Sequence, residues 1–257
     1  MKRYKIVVVG AGNVATHLAK HLHRLGQTIV CVCSRTRESA ENLASALGCG
    51  AITDLSLIPC DVDFVLIATT DSSIEHVSEV LPQTDAIVAH TSGSIPLDVL
   101  SRNHRHAAVL YPLQTFSKDV AVDIRRVPFF IEASDAETLS GINKIARLFS
   151  ENVLEADSTL RSRLHVAGVL SSNFTIYLLE MTRRVLAEHG LVLSTVRPLV
   201  EASIIKAFET SPLEALTGPA RRGDRKVVES QSRSFTNDDD RRIYDALSGA
   251  IIKKFEK

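Results

Sequence analysis

Residues 5–15 read KIVVVGAGNVA and carry the strongest indication of the fold. The short apolar run before the first glycine predicts a strand that is buried on both faces. Residues 14–25 then carry apolar side chains at helical spacing, which predicts a helix. The turn between them has the pattern GxGxxA, formed by Gly10, Gly12 and Ala15. A glycine-rich turn in this context predicts a dinucleotide-binding site.

Each residue of the motif has a separate role in that site. Gly10 permits the tight turn, Gly12 lets the backbone approach a pyrophosphate, and Ala15 lets the helix pack closely on the strand. Asn13 and Val14 open the helix, where free N–H groups attract phosphate. We therefore predict that Gly10, Gly12, Asn13, Val14 and Ala15 bind the nucleotide.

Strands and helices alternate over residues 1–157. Further strands are predicted at 29–33, 63–68, 86–89, 107–110, 129–132 and 153–155, and helices at 39–47, 72–81 and 136–150. Capping boxes that begin at Ser72 and Ser134 are expected to start two of these helices. The alternation predicts an α/β fold, a Rossmann-type doubly wound and mainly parallel sheet.

Strand signals stop after Asp157, so residues 158–257 predict an all-helical C-terminal domain. One long helix is expected over residues 158–189, and Ser211-Pro212-x-Glu214 predicts another helix start. A helix longer than a small domain usually also packs against a partner subunit. The long helix therefore favours a homodimer formed through this domain.

The end of the second strand indicates which nucleotide is bound. An NAD site places an acidic residue there, whereas this chain has Ser34, Arg35 and Thr36. Arg35 can pair with a 2′-phosphate, and the two hydroxyl groups can donate to it. The sequence thus favours NADP over NAD, although a solvated loop arginine would look the same.

Two later strand ends offer further ligand-facing groups. Ala68, Thr69 and Thr70 follow one buried strand and are predicted to line the path of the ribose and nicotinamide. After the next strand, His90, Ser92 and Ser94 are predicted to bind substrate. The alternative for this second group is a polar turn that only caps the following helix.

Several motifs resemble those of the Rossmann-like proteins that carry a C-terminal helical domain of unknown function and are labelled NADP oxidoreductases. The matching segments are GAGNVA at Gly10, CSRT at Cys33, HTSGS at His90, YPLQTFS at Tyr111, LHVAGVLSSNF at Leu164 and LTGPARRGD at Leu216. Broader relatives are pyrroline-5-carboxylate reductase, deazaflavin-dependent NADP reductase, ketopantoate reductase and the β-hydroxyacid dehydrogenases. The resemblance implies a helical dimerisation domain and a site in a cleft between two domains.

The catalytic lysine and asparagine of the β-hydroxyacid dehydrogenases lie four residues apart on the first long helix. Here that helix offers His165 and Asn173 and no lysine, so the chemistry cannot be transferred directly. We predict that His165 protonates a developing alkoxide or amine and that Asn173 fixes a substrate carbonyl or carboxylate. The alternative is an interfacial histidine and an asparagine used in helix packing.

Two loops are predicted to contact substrate. Gln114 and Thr115, in the loop after a strand, can orient it. Arg222, in a glycine- and proline-containing turn, can hold an anionic group, or it can pair with Asp224 to brace the turn.

Composition excludes several classes of function. The 257-residue chain has 30 Lys+Arg and 30 Asp+Glu, so nothing indicates binding to nucleic acid or to an anionic membrane. No apolar run predicts a membrane span, and no signal-peptide pattern is present. The four cysteines match no metal pattern and are expected to be reduced core residues of a cytoplasmic protein without a metal.

Three functions remain at this stage. The first is an enzyme that moves hydride between NADP(H) and a small carbonyl or imine substrate. The second is a non-catalytic NADP(H) sensor or scaffold that shares every nucleotide-binding residue. The third, a methyltransferase, is disfavoured by Arg35, because an adenosylmethionine site usually has an acidic residue at that strand end.

Overall fold

The structure is a computed structural model that describes residues 2–256. By internal contacts the chain divides into two units, Met1–Ser172 and Asn173–Lys257. The helix Ser158–Gly168 belongs to the first unit, whereas the sequence prediction assigned it to the second domain. The roles predicted for residues 158–257 in substrate binding and dimerisation stay predictions.

The first unit is built on one eight-stranded sheet. Its strands are β1 (Lys5–Val9), β2 (Thr28–Cys33), β3 (Gly50–Ile52), β4 (Phe64–Ile67), β5 (Ile87–His90), β6 (Ala107–Pro112), β7 (Phe129–Ala133) and β8 (Val153–Glu155). The strand order is β3-β2-β1-β4-β5-β6-β7-β8, and the pairing of β6 with β7 is antiparallel among otherwise parallel pairs. The predicted Rossmann-type, mainly parallel sheet is confirmed.

Helices cover both faces of this sheet. In the first unit they are α1 (Asn13–Arg24), α2 (Arg37–Leu47), α3 (Asp71–Val80), α4 (Asp98–Ser101), α5 (Ala136–Ala146) and α6 (Ser158–Gly168). Alternate residues of β1 enter different apolar clusters: Ile6 and Val8 pack with α1 and α5, while Val7 and Val9 pack with α3. Burial on both faces explains why β1 has a continuous apolar run.

The second unit contains only helices among its described residues. They are α7 (Phe174–Ala187), α8 (Arg197–Glu209), α9 (Pro212–Ala215), α10 (Arg225–Arg233) and α11 (Asp238–Phe255). Ser211 caps α9 by accepting from the N–H of Glu214, as predicted. A π-helical turn, Val169–Asn173, separates α6 from α7 within the segment predicted as one long helix.

Two of the predicted helix caps are wrong. The segment beginning at Ser72 does not cap α3, which starts one residue earlier, directly after Thr70. In α5 the cap is Asp135, whose carboxylate accepts from the N–H of Thr138 at 2.8 Å, rather than Ser134. Both predictions erred by one or two residues because neighbouring polar side chains all suit a helix start.

The four cysteines differ in how deeply they are buried. Cys31 and Cys33 on β2 are buried, and burial raises the pKa of each thiol to about 11. Cys49 is half-buried and Cys60 is exposed, so the expectation that all four are core residues is wrong for Cys60.

Candidate active site

The parallel strands bring three chain segments to one edge of the sheet. Val9, Ile67 and His90, the last residues of β1, β4 and β5, are paired with one another in register. Strand order reverses next to β1, because β2 and β4 flank it on opposite sides. Ligands of doubly wound sheets bind at such a point, outside the carboxyl ends of the strands.

The turn after β1 leaves no room for a side chain at Gly10. Gly10 has a φ of 113°, and its N–H donates to the carbonyl of Cys33 at 2.7 Å. A Cβ built on Gly10 would overlap the carbonyl oxygen of Ala68 at the end of β4. By contrast, a Cβ on Gly12 would meet no atom within 4 Å, so the space beside Gly12 is open.

The N-terminus of α1 keeps its backbone donors available. Gly12 is the N-cap residue, no side chain caps the helix, and its first turn contains no acidic residue. Ala15 is fully buried, and Val14 packs partly against the main core, so neither fills the space in front of the helix. Free N–H groups beside open space suit a phosphate.

The three polar residues after β2 have different surroundings. The N–H of Ser34 bonds to the carbonyl of Ile52 on β3 at 3.1 Å. Thr36 caps α2, and its hydroxyl donates to the hydroxyl of Ser39 at 2.8 Å. Arg35 is exposed and forms no hydrogen bond or ion pair with residues 2–256, so its guanidinium is available to a phosphate.

The loop after β4 presents its backbone at the same edge. The N–H of Ala68 donates to the carbonyl of Val9 at 2.8 Å, which continues the sheet into the loop. Thr69 is half-buried, and Thr70 is exposed with its hydroxyl 2.9 Å from that of Ser73. The backbone of Ala68 and Thr69 lies beside Gly10, and the predicted roles of Ala68, Thr69 and Thr70 in nucleotide binding stay predictions.

The loop after β5 is an internally bonded turn. Nδ1 of His90 accepts from the N–H of Ser92 at 3.2 Å, and the hydroxyl of Ser92 accepts from the N–H groups of Ser94 and Ile95, each at 3.0 Å. His90 and Ser92 are buried, whereas Ser94 is exposed. The geometry of His90 and Ser92 is that of the polar-turn alternative, and their role in substrate binding stays a prediction.

His90 is uncharged near neutral pH. Its ring is fully buried, and this burial, together with the nearby Arg161 guanidinium, lowers the pKa of His90 to about 3 from the usual 6.5. The unfolded chain therefore binds one more proton than the folded chain between these two pH values. Stability contributed by neutral His90 is present above pH 6.5 and falls as the pH drops from 6.5 toward 3.

We expect His90→Gln to weaken this acid-induced loss of stability. Urea unfolding at about pH 7 and about pH 5 should show a smaller drop in the free energy of unfolding for the variant than for the unmodified protein. The exposed His76→Gln is the matched control and should keep the original drop. An unchanged drop in His90→Gln would contradict the assignment of a buried, neutral His90.

His165 of α6 lies against the loop after β5. A Cβ built on Gly93 would be 2.8 Å from Nδ1 of His165 and 2.9 Å from its Cβ and Cγ, so the imidazole packs directly on the backbone of Gly93. On β6, the hydroxyl of Tyr111 lies 3.2 Å from Nδ1 of His165. His165 is half-buried, and it is therefore both held in place and accessible to a ligand.

A buried ion pair that the sequence analysis missed holds α6 to the sheet. The guanidinium of Arg161 is fully buried and forms a very short ion pair with Glu132 of β7. It also donates to the carbonyl of Ile95 at 2.5 Å and to the hydroxyl of Ser158 at 3.2 Å. Arg161 lies one helical turn before His165, so the cluster positions the part of α6 that carries His165.

The loop after β6 is fastened to α1. The amide of Asn13 donates to the carbonyl of Phe116 at 2.8 Å, so the Asn13 side chain supports this loop. Nε2 of His17 lies 2.9 Å from the carbonyl oxygen of Ser117. Gln114 and Thr115 are exposed, and the amide oxygen of Gln114 accepts from the N–H of Thr115 at 2.8 Å.

The remaining predicted site residues belong to the second unit. Asn173 is exposed at the end of the π-helical turn, and its side chain caps no helix. Arg222 is exposed, and Asp224 is the N-cap of α10, accepting from the N–H of Val227 at 3.3 Å. No ion pair joins Arg222 to Asp224 within residues 2–256, so the brace given as an alternative is not found, and the Asp224 carboxylate caps α10 instead.

Two absences hold for residues 2–256. No group of three or more His, Cys, Asp or Glu side chains is placed to hold a metal ion. No helix there is long and apolar enough to cross a membrane.

Comparisons with known proteins match both halves of the chain. Residues 5–95 match the family described as NADP oxidoreductase, coenzyme F420-dependent, and residues 127–251 match a domain of unknown function, DUF2520. A Bacteroides fragilis protein described as a putative NADP oxidoreductase is 36% identical, with a TM-score of 0.89 and 98% of each chain covered.

More distant similarities extend to a solved structure, which shares the fold, and to curated proteins matched by sequence. A pyrroline-5-carboxylate reductase from Streptococcus pyogenes is 17% identical, with a TM-score of 0.60 and 98% of each chain covered. A glutamyl-tRNA reductase from Idiomarina loihiensis is 22% identical over 167 residues, which is 63% of this chain and 33% of the relative. The chain thus spans about a third of the length of the curated relatives it matches.

Proposed function

The chain belongs to the family of NADP oxidoreductases that carry the DUF2520 domain, and on that premise we propose that it transfers hydride between NADP(H) and a small carbonyl or imine substrate. The observation that carries the proposal is the His165 imidazole packed against Gly93 at the carboxyl edge of β5. That edge lies one strand from β4 and two from β1, on the side where the nucleotide-binding turn opens.

The residues of the first unit fit NADP(H). Gly10 and Gly12 form a turn that lets phosphate approach the uncapped start of α1. Arg35 supplies an unpaired guanidinium where a 2′-phosphate is expected. Bound NADPH would supply the hydride, and the rest of the chemistry falls to the protein.

His165 is proposed to move the proton. Reduction of a carbonyl or imine leaves negative charge on oxygen or nitrogen, and an imidazole at hydrogen-bond distance can neutralise it. Imidazole is the side chain that enzymes use most often to pass a proton to or from a reacting group. The residues proposed to orient the substrate are Asn173, Gln114, Thr115 and Arg222. Their roles remain predictions.

We also propose that the second unit forms a homodimer. It exposes large apolar side chains that a monomer would rarely leave in water. They include Phe174, Ile176, Tyr177, Leu199, Ile204, Ile205 and Phe208. Phe208 is 89% exposed, and a second copy of this chain is the proposed cover.

The enzymatic proposal predicts a selective loss in His165→Ala. NADPH oxidation would first be screened against small carbonyl compounds and cyclic imines. In the variant we expect the turnover rate to fall by about 10²- to 10⁴-fold, because the proton donor is removed, while NADPH affinity changes little. Absorbance of NADPH measures turnover, and nucleotide fluorescence measures binding.

Arg163→Ala is the matched control, since Arg163 is exposed on the same helix and lies two residues away. It should keep both turnover and NADPH binding. Unchanged turnover in His165→Ala would remove His165 from the mechanism. Tight NADPH binding without reduction of any substrate would instead favour a sensor.

A further inference from the structure

We propose that Tyr111 is a positioning residue that fixes the tautomer of His165. Its hydroxyl donates to Nδ1 of the neutral imidazole, so Nε2 carries the ring's single proton and faces the substrate. When that proton passes to the developing alkoxide or amine, the phenolic proton of Tyr111 passes to Nδ1, which keeps the ring neutral, and the phenol regains a proton from water. The inference rests on the proposed function of His165 and adds which nitrogen acts and what selects it.

The direction of the Tyr111–His165 hydrogen bond follows from the surroundings of the phenol. Tyr111 is only 7% exposed, and burial raises its pKa, so the phenol keeps its proton. Its hydroxyl has no other hydrogen-bond partner in residues 2–256. If Nδ1 carried a proton, the buried phenolic hydrogen would be left without an acceptor, at a cost of desolvation. Donation from Tyr111 to Nδ1 avoids this cost.

The ring of His165 is fixed from two sides. The backbone of Gly93 lies so close that a Cβ there would fall 2.8 Å from Nδ1. The ring of Tyr111 meets the imidazole edge-on, with centroids 6.1 Å apart and an interplanar angle of 65°. Nε2, on the far side of the ring from Nδ1, forms no hydrogen bond within the described part of the chain. It is the nitrogen left available to a ligand.

The rest of α6 and β7 supports this arrangement. Arg161 anchors the helix one turn before His165, and Leu164 packs in the apolar cluster that contains Tyr111 and Phe130. Because the ring of Tyr111 is used for packing and its hydroxyl for the hydrogen bond, the two roles can be separated by one substitution. Tyr111→Phe keeps the ring and deletes only the hydroxyl.

The test is the ¹⁵N spectrum of the histidine rings in uniformly labelled protein, with His165 identified by its loss in His165→Ala. We expect His165 in the unmodified protein to be the tautomer protonated at Nε2. In Tyr111→Phe we expect a mixture of tautomers and a turnover rate about tenfold lower, with unchanged NADPH affinity. Tyr4→Phe is the control and should change neither, because Tyr4 directly precedes β1 and lies at the opposite end of that strand from the candidate site.

A second variant tests the position of the His165 imidazole instead of its hydrogen bond with Tyr111. Gly93→Ala places a methyl group against the imidazole, must displace it from Tyr111, and is expected to disturb the His165 signals as well. A His165 protonated at Nδ1, or signals unchanged in Tyr111→Phe, would overturn the inference. The spectrum is recorded without substrate, so it tests the tautomer of His165 separately from catalysis. A single His165 tautomer in the unmodified protein, together with full turnover in His165→Ala, would refute the proposed function and leave the tautomer assignment standing.

Discussion

Gly10→Ala is expected to lower the free energy of unfolding by about 3 kcal/mol and to abolish nucleotide binding. An L side chain rarely adopts the φ of 113° found at Gly10, and the added methyl would overlap the carbonyl oxygen of Ala68. The turn would have to move away from the end of β4, and the start of α1 would move with it. Urea unfolding measures the lost stability, and an NADPH titration measures the lost binding.

Gly12→Ala is the matched variant, two residues away. Gly12 has an ordinary φ of −76°, and a Cβ there meets nothing within 4 Å. We expect a change in unfolding free energy within about 0.5 kcal/mol, but NADPH affinity about tenfold lower or worse, because the methyl occupies the approach of the pyrophosphate. Equal destabilisation by both substitutions would contradict the steric account. Unchanged NADPH binding in Gly12→Ala would contradict the phosphate site.

Arg161→Met is expected to cost about 3–5 kcal/mol of stability, the range for breaking a buried ion pair by removing one partner. Methionine can fill the apolar part of the space that Arg161 occupies. It leaves Glu132 without its counter-charge and removes the guanidinium donor from the carbonyl of Ile95. Because Ile95 belongs to the loop that packs on His165, we also expect turnover to fall.

The control for this substitution is Arg163→Met on the same helix. Arg163 is exposed and forms no ion pair in the described part of the chain, so its loss should change stability by less than about 0.5 kcal/mol. Adding Glu132→Leu to Arg161→Met should recover part of the loss, because it removes the uncompensated carboxylate. Equal stability of the two single variants in urea would show that the buried pair contributes nothing.

The sequence predicted the sheet well because its strands are apolar on both faces and are separated by clear helical periods. β1 and α1 fall within a residue of their predicted bounds, since the glycine turn marks where one ends and the other begins. β3 was not predicted, because three residues beside a glycine give too short a pattern. The π-helical turn Val169–Asn173 was missed because its residues also suit an α-helix.

The candidate site was predicted only where the pattern is local. Gly10, Gly12 and Arg35 stand at fixed offsets from a strand end, so the motif alone located them. Tyr111 and His165 are 54 residues apart, and Arg161 and Glu132 are 29 apart, so neither pair leaves a local signal. An arginine on an otherwise ordinary helix looks solvated until the structure shows that it is buried.

Whether this chain binds NADP(H) in preference to NAD(H) would be shown by titrating the purified protein with NADPH and with NADH and following nucleotide fluorescence. The chain contains no tryptophan, so the nucleotide signal has little background from the protein. Loss of a charge-assisted hydrogen bond corresponds to roughly 10- to 100-fold in affinity, so we expect NADPH to bind tighter than NADH by about that factor. Arg35→Ala should remove the difference, and Arg37→Ala, which loses only an exposed ion pair with Glu41, should keep it. Equal affinity for the two nucleotides would contradict the 2′-phosphate site, and binding of neither would contradict the account of this chain as an NADP(H)-dependent oxidoreductase.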